Sequence, residues 1–354
     1  MTTALRWRWP AEWEAQDAIL LAWPHAETDW AENLADVQAS YVALIGAICR
    51  FQRALLIVPD VAIEAEVRLR LQHDPNSPTR LGVVHAAYDD TWLRDSGPIT
   101  LTSVTDNPPG DISFLLNDFR FTGWGGKFSA ARDDLLVSAL FGAGKFRNAQ
   151  LQPWDFALEG GAIEGDGAGS VLTTFQCLHQ RHPELSREDL RKVLGQMLHV
   201  DRVLMLEHGE LQGDDTDAHI DTLARFAAVD AIVFQACDDP GDTHYASLAD
   251  MRDEIEALRT RDGQPYRTFA LPWAKPIRAA SGRRLAASYA NFLIVNGAVL
   301  MPAYGAPTDA AAAQVLRIAF PDREVVAIPC RALIEQNGSL HCLTMQLPLG
   351  VLHE

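Results

Sequence analysis

Apolar positions along this chain switch repeatedly between helical and strand-like spacing. Val37, Tyr41, Leu44, Ile45 and Ile48 recur at the 3.6-residue period and predict an amphipathic helix over 32–51. Further helices are predicted over Val61–Leu71, 132–140, 186–198, 248–260 and 309–318, the 186–198 segment opening on a capping-box-like Ser186-Arg187-Glu188-Asp189. Short apolar or alternating runs predict strands at 54–58, 81–87, Ile99–Val104, 113–121, 170–176, Arg202–Leu206, Ala231–Gln235, 268–271, 292–295, 298–302 and 325–329. The longest apolar run, 290–304, is broken by Asn296-Gly297 and reads as a hairpin. Residues 74–78 read as a plain loop, 105–110 as a turn cluster, and Gly123-Trp124-Gly125-Gly126-Lys127 as a glycine-rich loop that fits no strand-to-helix phosphate motif. The rhythm of strands, one helix and another strand returns roughly every seventy residues. One α/β domain spanning 1–354, built of repeated ββαβ units able to close into a ring, is the economical reading. Two α/β domains split near Asn148 is the alternative.

Composition narrows the partners. Hydrophobic residues make up 48% of 354, enough for a large core. The formal net charge of −17 disfavours nucleic acid or an anionic membrane as a partner and favours a cationic ligand. No signal peptide is read at the start, and no stretch is expected to approach bilayer-spanning length. The five cysteines are odd in number and widely spaced, with no Cys-x-x-Cys, as in a reducing cytosol.

Four stretches carry chemistry-bearing side chains: Trp92-Leu93-Arg94-Asp95-Ser96-Gly97-Pro98, Leu158-Glu159-Gly160-Gly161, Asp217-Ala218-His219-Ile220-Asp221 and Asn337-Gly338-Ser339-Leu340-His341-Cys342. Each alone has a plain explanation: a local Arg94–Asp95 ion pair, a turn, a solvated acidic loop, and a buried inert thiol beside a structural histidine. His341 and Cys342 face opposite ways if that segment is extended, whereas His219 and Asp221, at i and i+2, share one side. Paired glycines let a backbone or ligand approach Glu159 closely. Taken jointly, the set offers a nucleophile, a proton shuttle and carboxylates. Carboxylates grip the N–H fork of a guanidinium with charge-assisted hydrogen bonds, a thiolate attacks its electrophilic carbon, and an imidazolium protonates departing ammonia.

These stretches, with Pro10-Ala11-Glu12-Trp13-Glu14, Trp23-Pro24-His25, Trp124-Gly125-Gly126-Lys127, Ala287-Ser288-Tyr289-Ala290-Asn291-Phe292 and Phe320-Pro321-Asp322-Arg323, resemble the agmatine deiminase family over nearly the whole chain. That family belongs to the guanidine-modifying (pentein) superfamily of five-bladed β/α-propellers. The resemblance implies Cys342 as the nucleophile that forms a thiouronium intermediate and His219 as general acid, then base. It implies Asp95, Asp221 and Glu159 as the guanidinium clamp, Trp92 and Trp124 as channel lining, and Asp215 near the distal amine. The implied reaction converts agmatine and water into N-carbamoylputrescine and ammonia, a step towards putrescine, in the cytoplasm and with no metal or organic cofactor. The implied partner is a small cationic guanidine; a homo-oligomer such as a dimer is compatible.

The sequence departs from the family pattern at two places. Where the family has Glu-Thr-Asp-Gly-His, this chain has Asp215-Thr216-Asp217-Ala218-His219, and Gly-Gly-Asn before the nucleophile becomes Asn337-Gly338-Ser339. A positive φ at Ala218 is expected to be strained. Asp215 is one methylene short, so a deiminase of free arginine or another small alkyl-guanidine is the main alternative, with an amidinotransferase or a non-catalytic propeller binding protein behind it. Peptidyl-arginine deimination fits less well, because similar bacterial enzymes are secreted.

Overall fold

A computed structural model describes residues 6–104 and 112–353; the turn cluster read at 105–110 lies outside them. Five sheets organise these residues. Three have three strands: Ile163–Gly165, Ser170–Thr174 and Arg202–Leu206; Ala224–Ala228, Ala231–Gln235 and Arg267–Leu271; Leu293–Val295, Ala298–Ala303 and Glu324–Pro329. In each, the first two strands pair antiparallel and the second and third pair parallel, with helix between them. A parallel pair cannot be joined by a tight turn, which is why a helix occupies every such crossover. Phe114–Arg120 and Ala149–Ala157 repeat the parallel step beside Ile99–Val104, with Arg6–Arg8 added at the edge. The remaining sheet runs Met345–Pro348, Gln16–Ala22, Arg53–Val58, Leu81–His85. Its first strand comes from the C-terminal end of the chain and its second from the N-terminal end, so the last unit is completed by the first. The expected α/β architecture of repeated ββαβ units is present, and the five sheets equal in number the blades of the expected propeller.

Strand and helix positions follow the sequence pattern closely where the apolar period is strong. Val61–Leu71, Ile99–Val104, Arg202–Leu206 and Ala231–Gln235 have the predicted bounds, and Arg187–Leu198 carries the predicted capping box on Ser186 and Asp189. The hairpin at Asn296-Gly297 joins Val295 to Ala298, with Gly297 at φ 79°. Elsewhere the pattern misleads. The strand predicted over 170–176 stops at Thr174, whose hydroxyl accepts from the Cys177 N–H and starts the unpredicted helix Phe175–Arg181. The loop at 74–78 is shortened by the helical turn Ser77–Arg80, which begins on Ser77-Pro78. The helix predicted at 248–260 is Tyr245–Ala257. The strand Ala149–Ala157 is unpredicted, its Leu151, Trp154 and Phe156 keeping no single two-residue alternation, and it pairs with Phe114–Arg120 across the point near Asn148.

The helical stretch Ala31–Phe51 meets the length and composition of a membrane span, contrary to the sequence expectation. Half of its apolar window is buried inside the protein, and its Val37, Tyr41, Leu44, Ile45 and Ile48 lie in one hydrophobic cluster with Trp23 and Trp30.

Candidate active site

Five segments carry the chain from one sheet to the next, and each enters the centre just before the opening strand of the next sheet. Asp95 precedes Ile99–Val104, Glu159 precedes Ile163–Gly165, Asp221 precedes Ala224–Ala228, Asn291 precedes Leu293–Val295, and Cys342 precedes Met345–Pro348. Tight turns at Leu93–Ser96, Gly160–Ala162 and Ile220–Thr222 pack against one another there. Close packing explains the paired glycines. A Cβ on Gly161 would lie 2.6 Å from His219 Nδ1 and 2.8 Å from Asp95 Oδ1, and one on Gly160 would lie 2.2 Å from the Arg94 carbonyl. Asp95, His219 and Asp221 therefore meet around a single missing side chain.

Cys342, His219, Glu159, Asp95 and Asp221 are all buried, the most exposed being Asp95 at 5%. Asn291 Nδ2 donates to Cys342 Sγ at 3.2 Å, and Asp221 Oδ2 lies 3.5 Å from the same sulfur. Burial, followed by the Asp221 and Asp95 charges, pushes this thiol well above its ordinary range, so it rests protonated. His219 shows the opposite balance. Burial would lower it, but Asp95 at 3.7 Å from Nδ1, Cys177 and Glu159 at 3.9 Å from Nε2 raise it well above an ordinary imidazole. The surrounding carboxylates thus favour the protonated imidazole.

The carboxylates are held from behind and open in front. Asp95 accepts from the Gly161 N–H and from Trp124 Nε1, both at 2.9 Å; burial and then the neighbouring Asp221 and Glu159 push it up to about 6, with His219 opposing. Trp124 reaches it from a turn in which Trp124 itself takes φ 56° between Gly123 at 62° and Gly125 at 82°. Arg181 Nε holds Glu159 Oε1 at 2.7 Å while its other nitrogens bind Asp217 and the Thr216 carbonyl. Burial would raise Glu159, but His219 and Arg181 together hold it below its ordinary value. Among the described residues, Glu159 Oε2, Asp221 Oδ1 and both nitrogens of His219 have no hydrogen-bond partner. Buried polar atoms in this state are costly unless a ligand completes them.

A cavity of about 550 Å³ leads to this centre and is lined by Trp92, Trp124, Asp95, Asp215, Asn337, Gly338 and Cys342 among others. Among the described residues, eight that line it are Asp or Glu, and the one Lys or Arg is Lys127, whose ammonium is engaged by the Asp215 carbonyl at 2.5 Å and Asp217 at 2.8 Å. Asp215 accepts from Asn337 Nδ2 at 2.7 Å, and burial raises its carboxyl. Trp30 backs Trp92, ring centroids 5.3 Å apart, and a Cβ on Gly338 would collide with the Trp92 ring at 2.2 Å.

Several local readings of the sequence need correction. Arg94 and Asp95 form no pair: Arg94 turns to Gln346 at 2.6 Å and Glu12 at 3.4 Å, whereas Asp95 faces His219. His219 and Asp221 share the site through a 3-10 turn, not an extended segment. Ala218 does adopt φ 69°, the strained value expected. His341 bridges Asp221 and Glu12 at 2.8 Å each, fixing Asp221 from behind, where Arg94 and Arg225 also meet Glu12. Arg181 and Cys177 were not singled out from the sequence, and Asn291 entered only as one member of the stretch 287–292, with no role given; what marks all three is their tertiary position.

Against known proteins, residues 8–348 match the Porphyromonas-type peptidyl-arginine deiminase family. An agmatine deiminase from Pseudomonas putida is 34% identical over 366 residues, covering 97% of this chain and 95% of its own. A Porphyromonas gingivalis structure described as an arginine deiminase is 44% identical, with a TM-score of 0.90 and coverage of 98% of this chain and 100% of its own. The structure of a C. jejuni agmatine deiminase with substrate bound is 31% identical, with a TM-score of 0.87 over 100% of this chain and 99% of its own.

Proposed function

This chain belongs to the Porphyromonas-type peptidyl-arginine deiminase family, and from that premise we propose that it hydrolyses the guanidinium of agmatine to N-carbamoylputrescine and ammonia, with Cys342 as nucleophile. The observation that carries the reading is the set of open buried acceptors, Glu159 Oε2 and Asp221 Oδ1, around a thiol and a cationic histidine. A planar cation with N–H donors on its edges completes them, and desolvated charge-assisted hydrogen bonds of this kind are the strong ones.

The charges also order the steps. The carboxylates that keep the Cys342 thiol protonated are the ones a guanidinium neutralises, so substrate binding itself favours the thiolate; the proton leaves by Asp221 Oδ2, 3.5 Å away. The sulfur attacks the guanidinium carbon and forms the C–S bond. His219 gives its proton to one amino group, the C–N bond breaks and ammonia departs, leaving a thiouronium. Neutral His219 then takes a proton from water, whose oxygen attacks the same carbon. The C–S bond breaks with sulfur leaving as thiolate, the proton of the added hydroxyl leaves with ammonia as ammonium, and the proton held by Asp221 returns to the sulfur as the ureido product departs. Water supplies the product oxygen and the overall charge is unchanged.

The alternative of free arginine is addressed by the lining of the cavity. An added carboxylate would enter among eight acidic residues, with the Lys127 ammonium already bound. Agmatine, with an amine at that end, suits Asp215 better. Incubation with agmatine and with arginine, with colorimetric detection of ureido product and ammonia, tests the proposal. Product from agmatine at a higher kcat/KM, abolished in Cys342→Ala, is expected; no product from either or from related guanidines rejects it.

A further inference from the structure

Cys177 lies on the helix Phe175–Arg181, fully buried, and takes no part in the reaction proposed above. Its Sγ, one ring nitrogen of His219 and one carboxylate oxygen of Glu159 lie within 4.8 Å of one another. Two of these three side chains present buried atoms without partners: both nitrogens of His219 and Oε2 of Glu159. Arg181 takes Oε1 of Glu159, which leaves Oε2 directed to Nε2 of His219 at 3.9 Å. On the far side of the ring, Nδ1 faces Asp95 Oδ1 at 3.7 Å. A carboxylate stands behind the imidazole as it does behind metal-bound histidines, at a separation that leaves Nδ1 without a hydrogen bond.

Sulfur, nitrogen and oxygen donors in one buried pocket suit zinc, which binds all three at about 2.0–2.3 Å and accepts an open fourth position. Hard cations such as magnesium demand oxygen ligands and retain water, so this set selects against them. We propose that Cys177, His219 Nε2 and Glu159 Oε2 form an inhibitory site for a zinc-class divalent cation. On binding the metal displaces two protons to solvent, one from the Cys177 thiol and one from Nε2 of the protonated His219. It occupies the histidine and the carboxylate that the guanidinium needs, so metal and substrate exclude each other. Metal binding at this site stands independently of the reaction; only its inhibitory consequence depends on it.

Cobalt(II) serves as the probe on the full chain, because thiolate coordination gives a sulfur-to-cobalt charge-transfer band in the near ultraviolet. In Cys342→Ser, which removes the other thiol of the centre, stoichiometric cobalt is expected to give this band, and excess agmatine to abolish it. In Cys177→Ser the band is expected to vanish and zinc affinity to fall by more than about 100-fold, the upper end of the loss caused by removing only an outer partner. Magnesium is expected to leave cobalt binding unchanged. The Cys342→Ser arm decides the matter even where the Cys177 variant fails to fold. A band missing from the wild-type chain or from Cys342→Ser, or one that survives Cys177→Ser, overturns the site; a band that agmatine leaves intact in a chain whose wild type turns agmatine over overturns the mutual exclusion. Zinc binding without any change in agmatine turnover overturns the inhibition.

Discussion

Replacing Arg181 with alanine removes the support of the carboxylate deepest in the site. The Arg181 side chain is 2% exposed, and Glu159, which it holds at 2.7 Å, is 1% exposed. Removing one partner of a buried pair strands the other charge, at a cost of about 3–5 kcal/mol. The second contact of Arg181, to Asp217 at 2.6 Å, adds little, because Asp217 is 21% exposed and keeps Lys127 at 2.8 Å. Urea denaturation of Arg181→Ala is therefore expected to show a loss of about 3–5 kcal/mol, most of it from Glu159. Activity follows the same charge. One charge-assisted hydrogen bond is worth about 1.5–3 kcal/mol, so losing the Glu159 contact to the substrate lowers kcat/KM by about 10–100-fold.

The pH dependence separates this from general damage. Glu159 is held below its ordinary value in the folded chain, so its contribution to stability is present above the unfolded carboxyl pKa, about 4.3, and is lost as pH falls through the folded value. Without Arg181 the folded value rises, and the acid limb of kcat/KM moves to higher pH. Arg181→Lys keeps the charge without the fork and falls between the two. A stability loss below about 1 kcal/mol, typical of an exposed pair, together with an unshifted acid limb, refutes the account.

Three further outcomes are expected. Trp124→Phe removes the 2.9 Å donor that opposes the rise of Asp95 above its value of about 6, so the acid limb of kcat/KM shifts upward while the fold persists. Asn291→Ala removes the donor at 3.2 Å from the Cys342 sulfur and moves the thiol higher still; the pH dependence of iodoacetamide alkylation at Cys342 measures this as slower labelling at a given pH. Asp215→Glu restores a methylene beside Asn337, and comparing kcat/KM for agmatine and arginine is expected to widen the preference for agmatine; a switch towards arginine contradicts the assignment of Asp215 to the distal amine.

The sequence made the scaffold legible wherever burial imposed a strong period, as in Val61–Leu71 or the hairpin around Asn296-Gly297. It hid Ala149–Ala157, which pairs by backbone while its side chains are mostly half-exposed or exposed, and Phe175–Arg181, only seven residues long. The cluster of Cys342, His219, Asp95, Glu159 and Asp221, whose roles are proposed above, was legible because each sits in a short motif with turn residues. Arg181 and the placing of Asn291 were not, because a guanidinium behind Glu159 and an amide beside sulfur arise only when separate sheets are brought together. His341 was read as structural and is turned away from the substrate side, yet it supports Asp221 from behind.

The common location of the chemistry explains both the successes and the errors. Each of the five crossing segments must bend sharply before starting its strand, and the bend delivers its polar side chain to the centre. Extended-chain geometry therefore gives the right neighbours for His219 and Asp221 by the wrong route: the 3-10 turn Ile220–Thr222 brings them together. The same crowding bears on Ala218. A left-handed alanine costs about 1–2 kcal/mol, but the surrounding contacts leave little freedom to relax. Asp214 Oδ2 accepts the Ala218 N–H at 2.9 Å, and the Thr174 hydroxyl donates to its carbonyl at 2.7 Å. Both flanking peptide groups are pinned, so the substitution of the family glycine is absorbed as local strain and His219 keeps its place beside Asp95. The departure from the family pattern at this position thus leaves His219 in place beside Asp95, and on the proposed reading any difference in substrate choice is assigned to Asp215 and the acidic lining beyond it.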